Sequence, residues 1–371
     1  MLAAGYAAQE VILCESGTDA LTRAIGMASE RFGGRTIVAL PAYGCYDLAT
    51  AAVGARYPVV LYDLDPTTLG PEPGSLAEAL RGGANVVVCA PLYGMPLDWR
   101  MVEDLAAAAG AVVVEDAAQG QGGSWMGRPL GSLGEYSVLS FGRGKGWTGG
   151  RGGAVLWRGG GGTGRAVGGG GGRGSNLAAL FPATMQWILG RPWCYGLPAS
   201  IPWLGLGETR YRDPVPGGEL APAAAALLLA TRGEAVVEAV ARRAVAEQLL
   251  EQLPPRGRIF PIEVVAGGVS GYLRLPLRVP GVGAALAGSV WARRLGVARG
   301  YPTPLAALEP LAALLVGRRW PWPGAEELVR DLITLPTHTQ LSRRDRERLV
   351  HFLGRGAPTL PDPREMEPIP R

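Results

Sequence analysis

Three short segments carry residue types from which a catalytic site could be built, and each follows a strand-like run of apolar residues. They are residues 16–18 (SGT), residues 115–120 (EDAAQG) and residues 140–153 (SFGRGKGWTGGRGG). In α/β proteins the loops that follow the strands form the binding sites. The order of these segments along the chain therefore predicts one site assembled from three loops.

The first segment suits an anion. Gly17 and Thr18 open a helix-like stretch directly after Ser16, so backbone N–H groups would point at an anion there. The helix dipole also favours a negative charge at this end. Ser and Thr cap many helices that bind nothing, so this segment alone is weak evidence for a phosphate site.

The second segment suits a cationic ring. Asp116 follows four apolar residues at a strand end, where an unpaired carboxylate would be costly. A protonated pyridine nitrogen is a suitable partner, and Asp116 would then keep the ring protonated as an electron sink. Gln119, one helical turn further on, is placed to reach the ring hydroxyl. The alternative is that Asp116 only caps a helix.

The third segment supplies an amine. Lys145 lies in a glycine-bounded loop five residues after Ser140, and an amine beside a cationic ring suits a Schiff base with pyridoxal 5'-phosphate (PLP). Ser140 and Arg143 are both placed to contact a phosphate. An isolated lysine between glycines is usually an ordinary loop residue. The order of the three segments, more than the lysine itself, predicts a PLP site.

This ordered set resembles the DegT/DnrJ/EryC1/StrS aminotransferase family, PLP enzymes of fold type I that mostly aminate keto-sugar nucleotides. The resemblance covers most of the chain and is weakest over residues 158–218. It extends to residues 41–69, to residues 90–110 (APLYGMPLDWRMVEDLAAAAG) and to residues 335–350 (LPTHTQLSRRDRERLV).

The resemblance implies an aminotransferase that moves an amino group from an amino acid, with glutamate the expected donor, to a keto-sugar that is nucleotide-linked in the family's manner. Lys145 and Asp116 are the implied catalytic residues. Lys145 would hold PLP as a Schiff base and, once freed, move a proton. The implied cofactor-binding residues are Gly17, Thr18, Tyr46, Asp116, Gln119, Ser140, Arg143 and Lys145.

The residue that stacks on the cofactor ring is left open between Cys45 and Tyr46. Tyr46 is the better physical candidate, because an aromatic face can stack on a pyridine, and a core tyrosine is the alternative. The sequence Lys145-Gly146-Trp147 departs from the family's usual K-N-L. This departure places the chain in a divergent branch, in which Arg143 takes part of the phosphate-binding role.

The expected fold class is α/β, with a mostly parallel sheet covered by helices, because the short β-branched runs are continuously apolar. The expected domains are a large PLP-binding domain, residues 1–240, and a small α+β domain, residues 241–371. A Gly-rich tract, residues 158–174, is expected to be a flexible loop.

Composition argues against several other classes. The net charge is only +4, with 36 Lys and Arg scattered among 32 Asp and Glu, so nucleic-acid binding is not expected, even by the Gly/Arg tract. Four Cys without CxxC spacing and two His make a metal site improbable. We expect neither a membrane span nor a signal peptide, and hence a cytoplasmic protein.

Two departures bear on the expected homodimer. Fifteen residues precede Ser16 where the family usually has some forty, so either the start is misplaced or a helix is missing. The asparagine that the family lends to its partner's phosphate site is not visible, and the nearest candidates are residues 208–211 (ETRY).

Residues 182–204 are candidates for a substrate pocket, with ordinary packing as the alternative.

The alternative hypotheses assume the same fold but a different function. One is another PLP reaction, such as amino-acid or amino-benzoate chemistry. The other is a non-catalytic regulatory or assembly role.

Overall fold

A seven-stranded mixed sheet forms the centre of the N-terminal half in the computed structural model, which describes residues 1–33, 35–159, 210–253, 259–317 and 321–354. The strand order is β1-β9-β8-β5-β4-β2-β3. The strands of this half are β1 (Glu10–Cys14), β2 (Val38–Pro41), β3 (Val59–Tyr62), β4 (Val86–Cys89), β5 (Val112–Asp116), β6 (Ser124–Trp125), β7 (Arg128–Pro129), β8 (Tyr136–Ser140) and β9 (Gly153–Trp157). Short β6 and β7 belong to a separate three-stranded sheet.

The sheet is mostly parallel, as the sequence predicts. Only β9 runs against its neighbours, pairing antiparallel with β1 and with β8. All residues of β4 and β5 are buried, which explains why these runs are apolar without alternation. Each fully buried valine contributes about 1.5–3 kcal/mol through the hydrophobic effect. The buried strands hold the sheet in the core. Because the strands other than β9 run in the same direction, they all end at one edge of the sheet.

Among the described residues of this half there are five α-helices, and their ends follow local sequence signals. They are α1 (Leu2–Gly5), α2 (Gly17–Glu30), α3 (Tyr46–Ala55), α4 (Pro73–Arg81) and α5 (Trp99–Ala109). The Asp98 side chain accepts a hydrogen bond from the Met101 N–H at the start of α5. Gly110 ends α5 with φ +63°, a left-handed conformation that glycine adopts readily.

A buried carboxylate in β5 fixes the chain that leads into β8. Glu115 accepts hydrogen bonds from the N–H groups of Gly131 (2.6 Å) and Leu133 (2.8 Å) and from the Ser137 hydroxyl (2.8 Å). Burial raises the pKa of Glu115, and these hydrogen bonds oppose that rise. Arg158 donates to the Ser137 hydroxyl from the other side (2.9 Å). The turn before β8 is thus fixed, and β8 carries Ser140 to the sheet edge.

The C-terminal half begins with a 30-residue helix, α6 (Pro222–Glu251). A second sheet of order β10-β12-β14-β13 follows it. The strands here are β10 (Phe260–Pro261), β11 (Gly268–Val269), β12 (Leu275–Arg278), β13 (Ala298–Arg299) and β14 (Leu332–Leu335). The helices are α7 (Gly283–Gly288), α8 (Val290–Arg294), α9 (Glu309–Ala312), α10 (Pro323–Asp331) and α11 (Arg343–Gly354).

The predicted domain boundary at residue 240 falls inside α6, which continues to Glu251. At the start of α11 the Asp345 N–H donates to the Ser342 hydroxyl (3.2 Å), so Ser342 caps this helix. The Gly-rich tract lies outside the described residues from residue 160 onward. Within the described part of the chain, no helix is both long and apolar enough to cross a membrane.

Candidate functional site

A pocket opens at the edge where the parallel strands end. Loops after β1, β2, β4, β5 and β8 contribute to it. The lining residues are Gly17, Thr18, Leu21, Cys45, Asp47, Ala90, Pro91, Leu92, Asp116, Ala118, Gln119, Ser140 and Lys145. Six of the eight residues predicted to bind the cofactor therefore lie around one cavity.

One end of the pocket is suited to a phosphate. Gly17 and Thr18 form the first turn of α2, where backbone N–H groups have no partner within the helix. A Cβ added at Gly17 would lie 2.6 Å from the Ser140 Cβ and 2.6 Å from its Oγ. Only glycine lets the helix start approach the Ser140 hydroxyl this closely, so backbone amides and a hydroxyl can bind the same anion.

We expect Gly17→Ala to weaken PLP binding at least about tenfold, because the added methyl group displaces either the helix start or Ser140. The matched control is Gly26→Ala in the same helix, where an added Cβ meets no atom within 4 Å. Fluorescence titration of the cofactor-free proteins with PLP measures both affinities. Equal losses in the two variants, or none in Gly17→Ala, would contradict this assignment of the phosphate end.

The Asp116 carboxylate lies in the pocket wall and is 9% exposed. It accepts a hydrogen bond from the Ala118 N–H (3.2 Å). Burial raises the pKa of Asp116 to about 6, and the positive charge of Lys145 opposes that rise. These interactions offset only part of the free-energy cost of burying the carboxylate, so a cationic ring nitrogen would be a suitable partner for it.

The raised pKa of Asp116 predicts a pH dependence of stability. The ordinary pKa is 3.8, so the folded, cofactor-free protein holds this proton more tightly than the unfolded chain does. The resulting stabilisation is complete below pH 3.8 and is lost as the pH rises through 6. The free energy of unfolding should therefore fall by about 1 kcal/mol more in the wild type than in Asp116→Asn between roughly pH 5 and pH 7. Urea unfolding at both pH values tests this, and parallel pH profiles would refute it.

Lys145 reaches the same pocket from the loop after β8 and is partly exposed. It is the only lysine in the chain, in which the other 35 of the 36 Lys and Arg residues are arginine. Arginine supplies charge as well as lysine does, but it stays protonated and does not form Schiff bases. The occurrence of the one lysine at this position therefore indicates a need for amine chemistry.

The residues after Lys145 that depart from the family pattern anchor its loop to α6. The Trp147 indole N–H donates to the Leu228 carbonyl (3.1 Å), and its ring packs edge-on against Phe141 (centroids 5.4 Å apart). A Cβ at Gly146 would lie 2.7 Å from the guanidinium of Arg242. Gly146 and Trp147 thus allow this loop to pack closely on the helix.

The structure brings Cys45 into the pocket wall and does not bring Tyr46 there. Tyr46 is the first residue of α3, and its hydroxyl lies 2.6 Å from the Thr303 hydroxyl and accepts from the Thr303 N–H (3.1 Å). Burial raises the pKa of the Cys45 thiol to about 12, so the group is neutral. Of the two candidates for the ring-contacting residue, the geometry favours Cys45.

Arg143 is exposed and does not line the pocket. Among the candidates for replacing the partner asparagine, Arg210 and Tyr211 are likewise not among the lining residues of this pocket. Residues 208 and 209 and the tryptophan-rich residues 182–204 are outside the described part of the chain.

Sequence reasoning missed several residues of the pocket wall, among them Asp47 and Leu92, and one residue beside it, Tyr301. Asp47 adds an exposed carboxylate to the wall, and Leu92 contributes an apolar contact. Tyr301 lies behind the wall and accepts a hydrogen bond from Gln119 (2.8 Å). Asp47 was within reach of sequence reasoning, because it lies two residues after Cys45. No feature of the sequence indicated that Tyr301 lies beside the site, because 182 positions separate it from Gln119.

Known proteins support the same reading of the N-terminal half. Residues 1–160 match the family model described as the DegT/DnrJ/EryC1/StrS aminotransferase family. The 3-amino-5-hydroxybenzoate synthase of Amycolatopsis mediterranei (strain S699) is 29% identical over 154 residues, 42% of this chain and 39% of the relative. The L-glutamine:2-deoxy-scyllo-inosose aminotransferase of Streptoalloteichus tenebrarius is 31% identical over 141 residues, 38% of this chain and 33% of the relative. The matches thus span well under half of either relative.

The fold comparison covers nearly the whole chain. The crystal structure of a DegT DnrJ EryC1 StrS aminotransferase from Brucella abortus superposes with a TM-score of 0.71 at 21% identity, covering 96% of this chain and 88% of that one. The C-terminal half, where sequence similarity is not detected by the family match, therefore also has this fold. Residues 1–160 thus match the DegT/DnrJ/EryC1/StrS aminotransferase family in sequence, and the chain shares the fold of the Brucella abortus protein.

Proposed function

We propose that the protein is a PLP-dependent aminotransferase that acts on a sugar-like ketone. The observation that carries the proposal is the convergence of Lys145, Asp116 and the Gly17–Ser140 contact on one pocket. An amine, a buried carboxylate and an anion-binding helix start are the three groups that a phosphorylated pyridine aldehyde needs. The match of residues 1–160 to the aminotransferase family model supports the same activity.

The residues present fit the cofactor. Gly17, Thr18 and Ser140 would hold the phosphate, Asp116 the ring nitrogen, and Lys145 the aldehyde carbon. Cys45 would contact the ring face, and Gln119 the ring hydroxyl. When bound, PLP supplies an electron sink that stabilises negative charge on a substrate carbon.

The chain's own contribution to the reaction is to move one proton in a fixed geometry. Lys145 Nζ, when not bonded to the cofactor, would accept the proton from the amino-bearing carbon of the donor. The hydrogen bond of Trp147 to Leu228 holds the lysine loop against α6. Asp116 would keep the ring nitrogen protonated, because its burial leaves it in need of a positive partner.

The finer assignment is an amino acid as donor, with glutamate expected, and a nucleotide-linked keto-sugar as acceptor. The two relatives described above are an L-glutamine:2-deoxy-scyllo-inosose aminotransferase and a 3-amino-5-hydroxybenzoate synthase. The exposed Asp47 carboxylate in the pocket wall can accept hydrogen bonds from acceptor hydroxyls. We include in the proposal the homodimeric, cytoplasmic form that the family resemblance implies.

Amino transfer is tested in two halves. The PLP-loaded protein is first mixed with glutamate, glutamine or alanine, and the keto acid released is measured by mass spectrometry. A nucleotide-linked keto-sugar or a free keto-cyclitol is then added, and the aminated product is sought. One equivalent of keto acid per site, followed by an aminated acceptor, is the expected result.

A protein that binds PLP covalently but releases no keto acid from any donor would contradict the enzymatic proposal. That outcome would favour the regulatory alternative. Sedimentation equilibrium of the same preparation determines whether the protein is a dimer.

A further inference from the structure

The side-chain amide of Gln119 is held between two tyrosines of different parts of the chain. Its Oε1 accepts from the Tyr93 backbone N–H (2.8 Å), and its Nε2 donates to the Tyr301 hydroxyl (2.8 Å). The backbone N–H can only donate, so the amide oxygen must face Tyr93. Gln119 lines the pocket, and Nε2 carries a second hydrogen.

Tyr301 is itself fixed by three contacts. Its N–H donates to the Tyr43 hydroxyl (2.8 Å), and its ring stacks on Tyr93 with centroids 6.1 Å apart and planes at 17°. The Tyr43 ring meets it edge-on at 5.6 Å. Burial raises the pKa of Tyr301 well above its usual value, so its hydroxyl stays neutral. A neutral hydroxyl held in this way is a rigid acceptor for the Gln119 amide.

Tyr93 adopts a backbone conformation that is unfavourable for a large residue, with φ 58° and ψ 15°. The left-handed region costs an L-residue other than glycine roughly 1–2 kcal/mol. In this conformation Tyr93 directs its N–H at Gln119 and its ring at Tyr301. Strained backbone beside a pocket is commonly associated with function.

We propose that Tyr301 is a positioning residue, which together with Tyr93 orients the Gln119 amide so that its remaining Nε2 hydrogen is donated into the cofactor pocket. The proposal rests on the proposed function, since the acceptor of that hydrogen is the ring hydroxyl oxygen of PLP. A donor there stabilises the negatively charged form of the oxygen. Tyr301 thus sets the pH at which the bound cofactor titrates, although it does not line the pocket.

The test is a pH titration of the visible absorption band of the PLP-loaded protein. Tyr301→Phe keeps the ring and its stacking and removes only the hydroxyl. Tyr46→Phe is the matched control, because it removes a hydroxyl of the same tyrosine cluster that contacts Thr303 instead of Gln119. Tyr301→Phe should raise the titration midpoint by about half a pH unit, and Tyr46→Phe should leave it unchanged.

The substitution Gln119→Glu tests the same Nε2 hydrogen by removing it. Its carboxylate can still accept from the Tyr93 N–H and from the Tyr301 hydroxyl, but it has no hydrogen to donate to the cofactor. It should raise the midpoint by at least as much as Tyr301→Phe. In a Gln119→Leu background, Tyr301→Phe should add no further shift.

An unchanged midpoint in Gln119→Glu, or equal shifts in Tyr301→Phe and Tyr46→Phe, would overturn the positioning role. An additional shift from Tyr301→Phe in the Gln119→Leu background would also overturn it. A wild-type protein that shows no visible band at all refutes the cofactor proposal, so the two failures are distinguishable.

Discussion

Lys145→Ala should abolish the Schiff-base absorption band of the PLP-loaded protein, leaving only the absorption of unattached PLP, and should lower the rate of amino transfer by about 10²–10⁴-fold. The reason is that this substitution removes the only lysine in the chain, so no other lysine amine is available for covalent attachment or for proton transfer. PLP should still bind without a covalent bond, because the phosphate end and Asp116 are unchanged. Spectra and single-turnover rates with a saturating amino donor measure the two effects.

Lys145→Arg is the matched control for charge. It keeps a cation beside Asp116 and lacks an amine that can form a Schiff base. It should lose the band as fully as Lys145→Ala does. A retained band in either variant would show that PLP is bound elsewhere, for example at the N-terminal amine.

Asp116→Asn should lower the rate of amino transfer by a factor of about 10²–10³ while leaving the covalent attachment of PLP intact. Removing one member of a buried charge pair costs roughly 3–5 kcal/mol. Asparagine has nearly the shape of aspartate but cannot hold the ring nitrogen in its protonated form. The Ala118 N–H keeps an acceptor in the asparagine oxygen, so the local fold should be preserved.

The substitution Asp116→Glu tests whether the position of the carboxylate matters as well as its charge. It restores the carboxylate one methylene further along, so a partial recovery of the rate relative to Asp116→Asn is expected. If Asp116→Asn transfers amino groups as fast as the wild type, Asp116 is a helix-capping residue and the ring nitrogen lies elsewhere.

The convergence of the main site residues was within reach of the sequence, and the reason is topological. Gly17, Asp116 and Ser140 each lie at or directly after the end of a strand-like run, and parallel strands end at one edge. Lys145 lies in the loop after one of these ends. Knowing the strands and their direction therefore suffices to bring these residues together, without knowledge of any long-range contact.

Side-chain direction was not within reach of the sequence. Cys45 and Tyr46 are adjacent, but α3 begins at Tyr46, and the turn of the helix directs the tyrosine to Thr303 and leaves Cys45 at the pocket. Arg143 precedes Lys145 by two residues, with Gly144 at φ +74° between them. That turn leaves Arg143 exposed at the surface while Lys145 faces the cavity.

Contacts between distant parts of the chain could also not be predicted from the sequence. The domain boundary predicted at residue 240 lies within α6, which continues to Glu251. The packing of Trp147 and Gly146 against α6 joins residues that lie about 80 to 100 positions apart. Their local sequence shows only a departure from the family pattern, and its physical reason becomes visible in the fold.

The measurement that tests the central claim most directly is borohydride reduction of the PLP-loaded protein followed by intact-mass and peptide mass spectrometry. Because Lys145 is the only lysine, the only other amine of the chain that could be labelled is the N-terminal one. The wild type should gain the mass of one reduced cofactor, located in the peptide that contains Lys145, and Lys145→Arg should gain none. No mass gain in the wild type, or a label on the N-terminal peptide in both proteins, would contradict the assignment of Lys145 as the cofactor-binding residue.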